Sequence, residues 1–318
     1  MEPVLEVRDL KVYYHTKRGP VHAVDGITFD VALGETLGVV GETGCGKSTL
    51  GKAILGILPP RTLLEGTLRF MGRDLPKLPK DELRRLRGKD VGLIFQDPMT
   101  RLDPLMSVED HFVETIRAHE NVSKDAARRR AYKALASMGI PESRLGDYPH
   151  EFSGGMRQRI MIAMVLVMSP KLLIADEPTT SLDVIVEAQI LEILEDLKRA
   201  YRMSLLLITH NLGIVAEVCD RVAVMYAGRI VELGTVRDVF KRPIHPYTSG
   251  LLSSIIHLES KDLSSIDGLP PDLVNPPSGC RFHPRCAYAK TICETEDPAW
   301  VEYRPGHFAA CHFGKDFL

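Results

Sequence analysis

The chain has 318 residues, 44% hydrophobic and 26% charged, with a formal net charge of −2. That leaves room for one large α/β domain and an appendage. A balance so close to neutrality offers no general attraction for nucleic acid, and the basic clusters at 84–87 and 128–130 read as local, solvated helix faces. The longest apolar run, 160–168, stops at Ser169-Pro170, well short of the ~20 residues that span a bilayer. The N-terminal MEPVLEVRDL lacks the basic and apolar regions of a signal peptide, so a cytoplasmic location is expected, with any work on a membrane done through a partner.

In chain order, residues 4–14 alternate as a strand, 16–19 supply a turn and 23–31 return as a second strand. Tyr14 sits where a strand end can offer an aromatic face to a base, and Tyr13 is the alternative. The apolar run 36–40 reads as a buried strand. It leads into Gly41, Glu42, Thr43, Gly44, Cys45, Gly46, Lys47, Ser48 and Thr49, which match G-x-x-x-x-G-K-[ST]. Residues 50–58 can continue as a helix. In that strand–loop–helix setting the glycines let the backbone wrap a phosphate, and amides at a helix start favour an anion. Lys47 supplies a charge for the β- and γ-phosphates, and the Ser48 hydroxyl is placed to ligate Mg²⁺.

Further strands are expected over 66–71 and 91–95, the second ending at Gln96, where a parallel sheet meets its ligands. Residues 107–119 and 123–138 read as helices with serine caps, a helical insertion in the sheet domain. Ser153, Gly154 and Gly155 then open a long apolar helix that includes Gln158, a second helix start suited to an anion, although a plain helix cap reads the same way. The buried strand 172–175 ends in Asp176-Glu177; the first can hold Mg²⁺ and the second can polarise water. Residues 181–183 lead into a helix over 184–200, the strand 204–208 ends at Thr209-His210, and a hairpin over 221–233 closes the domain.

Six cysteines are unevenly placed: Cys45 and Cys219 stand apart, and Cys280, Cys286, Cys293 and Cys311 fall near the C-terminus. In a reducing compartment such a cluster reads as a metal site before a disulfide framework. The gaps of five, six and seventeen residues include no C-x₂₋₄-C knuckle of the kind usual for structural zinc. Seven prolines between Pro243 and Pro284 predict an irregular tail, one that a metal would help to order.

Taken together, the phosphate loop, Gln96, SGGMRQR at 153–159, LLIADEP at 172–178, Ser181–Asp183 and His210 resemble the ATP-binding subunit of an ABC transporter over residues 4 to about 235. The resemblance implies an α/β, ABC-type phosphate-loop nucleotide-binding domain over 1–239, with a helical subdomain at about 97–168 and a small irregular Cys-rich extension over 240–318. It implies ATP and Mg²⁺ as ligands, Tyr14 as adenine stacker, residues 41–49 as phosphate cradle, and Asp176 with Ser48 and Gln96 around Mg²⁺. Glu177 would be the catalytic base, His210 the switch histidine, and Asp183 a residue of the dimer seam. Ser153, Gly154, Gly155 and Gln158 would complete the ATP site of an opposing subunit, so hydrolysis requires a head-to-tail dimer.

The segments FKRPIHPYTSGLL (240–252) and NPPSGCRFHPRCAYAKTIC (275–293) resemble the dipeptide/oligopeptide importer branch, which includes nickel-type relatives. In that branch four tail cysteines can hold a [4Fe–4S] cluster, which would fall here to Cys280, Cys286, Cys293 and Cys311. Zinc is the alternative, and His283, His307 and His312 are substitute ligands. The expected protein is an ATPase subunit at the cytoplasmic face of the membrane that drives di- or oligopeptide uptake. Its partners would be a second nucleotide-binding subunit (a paralogue rather than a copy), two permease subunits and, indirectly, an extracytoplasmic peptide-binding protein. Uptake of nickel or another small solute, or a soluble non-transport ABC ATPase, are the other readings.

Overall fold

The computed structural model describes residues 2–95, 102–178, 184–254 and 266–318, without side chains at 184–186 and 197. In chain order the elements are β1 (Leu5–Thr16), β2 (Gly19–Val31), β3 (Thr36–Val40), α1 (Lys47–Ile54), β4 (Leu63–Phe70), β5 (Arg73–Asp74), α2 (Lys80–Lys89), β6 (Val91–Ile94), α3 (Val108–His119), α4 (Lys124–Ser137) and α5 (Gly154–Leu166). There follow β7 (Leu172–Asp176), α6 (Val184–Tyr201), β8 (Ser204–Ile208), α7 (Leu212–Val218), β9 (Arg221–Tyr226), β10 (Arg229–Thr235), α8 (Val236–Lys241), α9 (Pro246–Ser253), α10 (Thr291–Thr295), β11 (Trp300–Arg304) and β12 (His307–Ala310). The chain divides into two compact units, Met1–Lys77 with Leu206–Leu318, and Leu78–Leu205.

The first unit holds an antiparallel sheet of order β2-β1-β4-β5 and a second run of strands in the order β11-β12-β10-β9-β3-β8. All five residues of β3 are buried, as a strand covered on both faces requires. It pairs in parallel with β9, which turns antiparallel into β10. Helix α1 ends before the expected 58. Gly56 (φ 62°) takes the left-handed conformation, and the amides of Gly56 and Ile57 return to the carbonyls of Ala53 and Lys52. This 5→2 and 6→1 pair closes the helix.

The tail is more regular than its prolines predict. β11 and β12 form a hairpin around Gly306 (φ 73°), and β12 pairs antiparallel with β10 through Glu232↔Ala309 and Leu233↔Phe308. Its core is an aromatic trio: Tyr226 lies 4.5 Å from Tyr247 and 5.2 Å from Phe282, centroid to centroid. All three are buried in one cluster with Val40, the last residue before the phosphate loop. Each such side chain contributes about 2–3 kcal/mol of apolar burial. Glu232 is fully buried, and its carboxylate accepts the amides of Ile244 (2.8 Å) and His245 (2.9 Å) and lies 2.7 Å from His307 Nε2. One carboxylate thus joins β10, the turn before α9 and β12, with its lone pairs satisfied as burial demands.

In the second unit β6 and β7 pair in parallel, Val91 opposite Leu172 through Ile94 opposite Ala175. A Cβ on Gly92 would stand 2.4 Å from Val165, so α5 lies close on β6. Ser107, Ser123 and Ser153 cap α3, α4 and α5 by accepting the amides of Asp110, Ala126 and Met156. The 84–87 cluster falls on α2, with Arg84 and Arg85 exposed.

His245 is buried, its pKa is pushed down to about 4 by that burial, and its Nδ1 accepts the Tyr247 amide. In the unfolded chain the imidazole titrates near 6.5, so between about 6.5 and 4 the unfolded state binds the extra proton and stability falls as pH falls. Denaturant midpoints of the full chain should drop between pH 7 and pH 5, and His245→Asn, which keeps an acceptor at the cap, should flatten that slope.

Candidate active site

The loop between β3 and α1 is shaped by backbone conformations and spaces that exclude side chains. Gly41, Gly44 and Gly46 have φ of 152°, 83° and 109°. A Cβ on Gly41 would fall 2.0 Å from the Met225 carbonyl oxygen, and one on Gly46 would fall 2.0 Å from that of Ala23. Gly44 has open space around it and needs glycine for its φ alone. The loop is tied to the β9–β10 turn: the Gly228 amide donates to the Cys45 carbonyl (2.9 Å) and the Asp25 amide to the Gly228 carbonyl (2.8 Å). Helix α1 starts with no side-chain cap at Gly46, as suits a helix start that receives an anion.

Lys47 is 5% exposed, and its Nζ turns into the loop, donating to the carbonyls of Gly41 (2.7 Å) and Glu42 (3.0 Å). Cys45 is buried there and its thiol pKa is raised by burial. The Tyr14 hydroxyl donates to Thr49 Oγ1 at 3.1 Å, which places this ring beside the loop. Tyr13 is engaged elsewhere, packed on His22 (centroids 4.2 Å apart) with its hydroxyl donating to Asp25. Burial opposes ionisation of Asp25, but the Tyr13 hydroxyl, Arg281 and Arg229 outweigh it and hold the carboxyl below its usual range. Ser48 follows Lys47 in the first turn of α1, and His210, exposed, follows β8 just before Asn211 caps α7.

The other predicted residues of the core lie in the second unit or outside the described residues. Asp176 is the buried last residue of β7. Glu177 follows half-buried at φ 49°, a left-handed conformation that a side chain of this kind rarely takes, and such strain gathers at functional positions. Ser153 caps α5, and Gly154 and Gly155 open its first turn. Gln158 is turned inward, 2% exposed, with its amide donating to the Pro178 carbonyl directly after the acidic pair. That placement makes it a brace between α5 and the Asp176–Pro178 turn. Gln96 and Asp183, together with Ser181, lie outside the described residues.

The four tail cysteines line one small cavity, walled by Phe282, Tyr288, Phe313 and Phe317. Burial, aided by their neighbours' charge, pushes the thiols of Cys280 and Cys311 up to about 11. The amide two residues on donates to the sulfur in three cases: Phe282 to Cys280, Tyr288 to Cys286 and Phe313 to Cys311. Among the described residues no three His, Cys, Asp or Glu side chains are grouped to hold one metal ion. His283 and His312 turn a ring nitrogen to the carbonyls of Cys280 and Glu296, and His307 pairs with Glu232.

Sequence reasoning missed the contacts that bind this tail to the loop. Arg285, between two of the cysteines, grips the Glu42 carboxylate with both Nη atoms (2.7 and 3.0 Å), and the Tyr247 hydroxyl accepts the Glu42 amide at 3.0 Å. Arg281 donates to Asp25 and to the Ala227 carbonyl. The visible signal was two arginines within a five-residue gap between cysteines.

Residues 24–180 match the family model described as ABC transporter, and residues 231–293 match the one described as oligopeptide/dipeptide transporter, C-terminal region. The chain is 48% identical over 317 residues to the dipeptide transport ATP-binding protein DppD of Bacillus subtilis, covering 98% of this chain and 95% of that one. It is 47% identical over 314 residues to the oligopeptide transport ATP-binding protein OppD of Escherichia coli, covering 98% and 93%. Among solved structures it is similar to cbiO1 of Clostridium perfringens, part of the ABC transporter complex cbiONQ (32% identity, TM-score 0.65, 77% of this chain and 93% of that one). The dimeric, post-hydrolysis structure of the ATP-binding cassette MJ0796 bound to ADP and Pi shares the fold at 23% identity (TM-score 0.66, 73% and 99% covered).

Gly46→Ala should prevent the loop from taking this shape. We expect nucleotide affinity to fall by at least about tenfold and stability by roughly 2 kcal/mol or more, checked by titration with a fluorescent ATP analogue and by denaturant melts.

Proposed function

The chain belongs to the ABC transporter family as the ATP-binding subunit of a dipeptide/oligopeptide importer, and from this membership and the geometry above we propose how its own residues bind and cleave ATP. The observation that carries the reading is the cradle between β3 and α1, with Lys47 already turned inward among the loop carbonyls. Residues 41–49 take the phosphates, Lys47 countering charge on the β- and γ-groups, and Tyr14 offers its ring to adenine. Ser48 and Asp176, with Gln96, are the residues that would hold Mg²⁺, which when bound neutralises charge on the phosphate oxygens.

Glu177 is the general base in this reading, orienting and deprotonating the water that attacks the γ-phosphate in line, and His210 steadies the water or the phosphate. The strained backbone at Glu177 and the Gln158–Pro178 brace support a side chain held in one orientation. Ser153, Gly154 and Gly155 serve the γ-phosphate of an opposing nucleotide-binding subunit, a paralogue in our reading, with Asp183 at the seam. Each ATP is then cleaved only when two subunits close head to tail. Residues 1–239 act as the nucleotide-binding domain, and 240–318 as its extension.

Among the described residues no helix is long and apolar enough to cross a membrane. From its family membership the subunit is read as peripheral, docked at the cytoplasmic face on two permease subunits. An open groove lined by Leu105, Met106, Asp110, Val113, Glu114 and Arg117 supports such docking, with Leu105 85% exposed. Di- or oligopeptide cargo reaches the permeases from a separate binding protein. The relatives described above are dipeptide and oligopeptide transport proteins, which favours peptides over nickel.

We read the four tail cysteines as ligands of a [4Fe–4S] cluster rather than of zinc. The donor set is four thiols, three with an amide aimed at sulfur, behind an aromatic wall, and such hydrogen bonds and burial tune cluster potentials. When bound, the cluster supplies a counter-charge that lets all four thiolates lie together.

Two experiments test these assignments. Glu177→Gln should keep ATP binding but lower turnover of the assembled transporter by about 10²-fold or more; a near-normal rate would remove Glu177 as base. Anaerobically purified chain should carry about four iron and four sulfide, lost on Cys286→Ser or Cys293→Ser. Stoichiometric zinc would replace the cluster assignment.

A further inference from the structure

Of the five residues between Cys280 and Cys286, two are arginines, and both reach the surroundings of the phosphate loop. Arg285 is the more fully engaged. Its side chain is 6% exposed, and each guanidinium N–H has an acceptor. Nε donates to the Asp267 carbonyl (2.8 Å), Nη1 to Glu42 (2.7 Å) and the Tyr226 hydroxyl (3.4 Å), and Nη2 to Glu42 (3.0 Å) and the Ile266 carbonyl (3.2 Å). Its partner Glu42 is the second residue of the loop, and the Glu42 carbonyl accepts from Lys47 Nζ. Four groups therefore run in series: Cys286, the adjacent Arg285, the Glu42 carboxylate and backbone, and the Lys47 ammonium.

The turn that carries Arg285 has little slack. The amides of His283, Arg285 and Cys286 close it on the carbonyls of Cys280, Phe282 and His283. A change in how Cys280 and Cys286 are held must therefore move the guanidinium or strain the turn. A bidentate guanidinium–carboxylate pair tolerates little displacement.

We propose that Arg285 is a positioning residue for the phosphate loop, and that through the Arg285–Glu42 pair the state of the four-cysteine site sets the affinity for nucleotide. The second half rests on the cluster reading above. By linkage, nucleotide must in turn alter how tightly the cysteine site keeps its occupant.

The test uses full-length chain purified anaerobically, with iron and sulfide content, a melting curve and the Kd for a fluorescent ATP analogue with Mg²⁺ measured on each sample. Wild type should lose roughly tenfold in affinity when the cluster is removed with chelator and oxidant. Arg285→Ala should lose about as much while keeping its iron, and stripping it should then change the Kd by less than about twofold, since the coupling path is already cut. Arg285→Lys, which keeps charge without the fork, should recover only part. If Arg285→Ala melts below the assay temperature, Glu42→Gln tests the same pair and should behave alike. Loaded Arg285→Ala or Glu42→Gln with wild-type affinity would overturn the proposal. So would a stripping effect as large in the variants as in wild type. Wild type with neither iron nor sulfide would instead overturn the cluster reading, and with it the coupled half, while the Arg285→Ala Kd still decides the positioning role. Failure of wild type to bind the analogue would overturn the nucleotide reading itself.

Discussion

The constraint on which this molecule depends is steric. The phosphate loop passes so close to the carbonyls of Met225 and Ala23 that a single methyl at Gly41 or Gly46 has no room. A loop held that close can be locked through its own carbonyls, and the Gly228 amide and the Lys47 ammonium, both donating to them, do so. A loop fixed in this way can receive an anion with little reorganisation, which is where preorganised electrostatics has its value. Because Met225 and Ala23 belong to β9 and β2, the loop is only as well defined as the strands around it.

Those strands are in turn held by the tail. The aromatic trio Tyr226–Tyr247–Phe282 packs under β9, and Arg281 anchors Asp25 and Ala227 on either side of the loop's support. Tyr247 and Arg285 then reach the loop itself at Glu42. A segment that resembles an appendage in sequence thus supplies part of the wall of the nucleotide cradle. This accounts for an extension rich in proline yet ordered around buried polar pairs such as Glu232–His307.

Much of this was legible in the sequence. The all-buried strand β3, the glycine spacing after it and the serine caps of α3, α4 and α5 are local signals, each read within a window of a few residues. What escaped were pairings across the chain. Glu42 and Arg285 are 243 positions apart, Asp25 and Arg281 are 256, and no periodicity announces such partners. The hairpin β11–β12 was hidden for a different reason. Its strands are five and four residues long, and the surrounding prolines argue locally for loop while the pairing with β10 decides otherwise. Gln158 adds a contact that its place in SGGMRQR does not announce: it is buried and donates to the Pro178 carbonyl, bracing the turn after the acidic pair.

The pairing of β12 with β10 also bears on where such a cassette ends. β10 is buried over five consecutive residues, and without its neighbour it would be the open margin of a sheet, with unpaired amides and carbonyls beside apolar side chains. Margins of that kind recruit other chains and seed aggregation. β12 covers it, and the outermost strand, β11, is short, with Glu302 and Arg304 along it. A cassette cut after residue 239, which the sequence motifs alone would call complete, would keep every phosphate-binding residue and expose a sticky edge. The tail is therefore a solubility element of the catalytic subunit as well as part of its site.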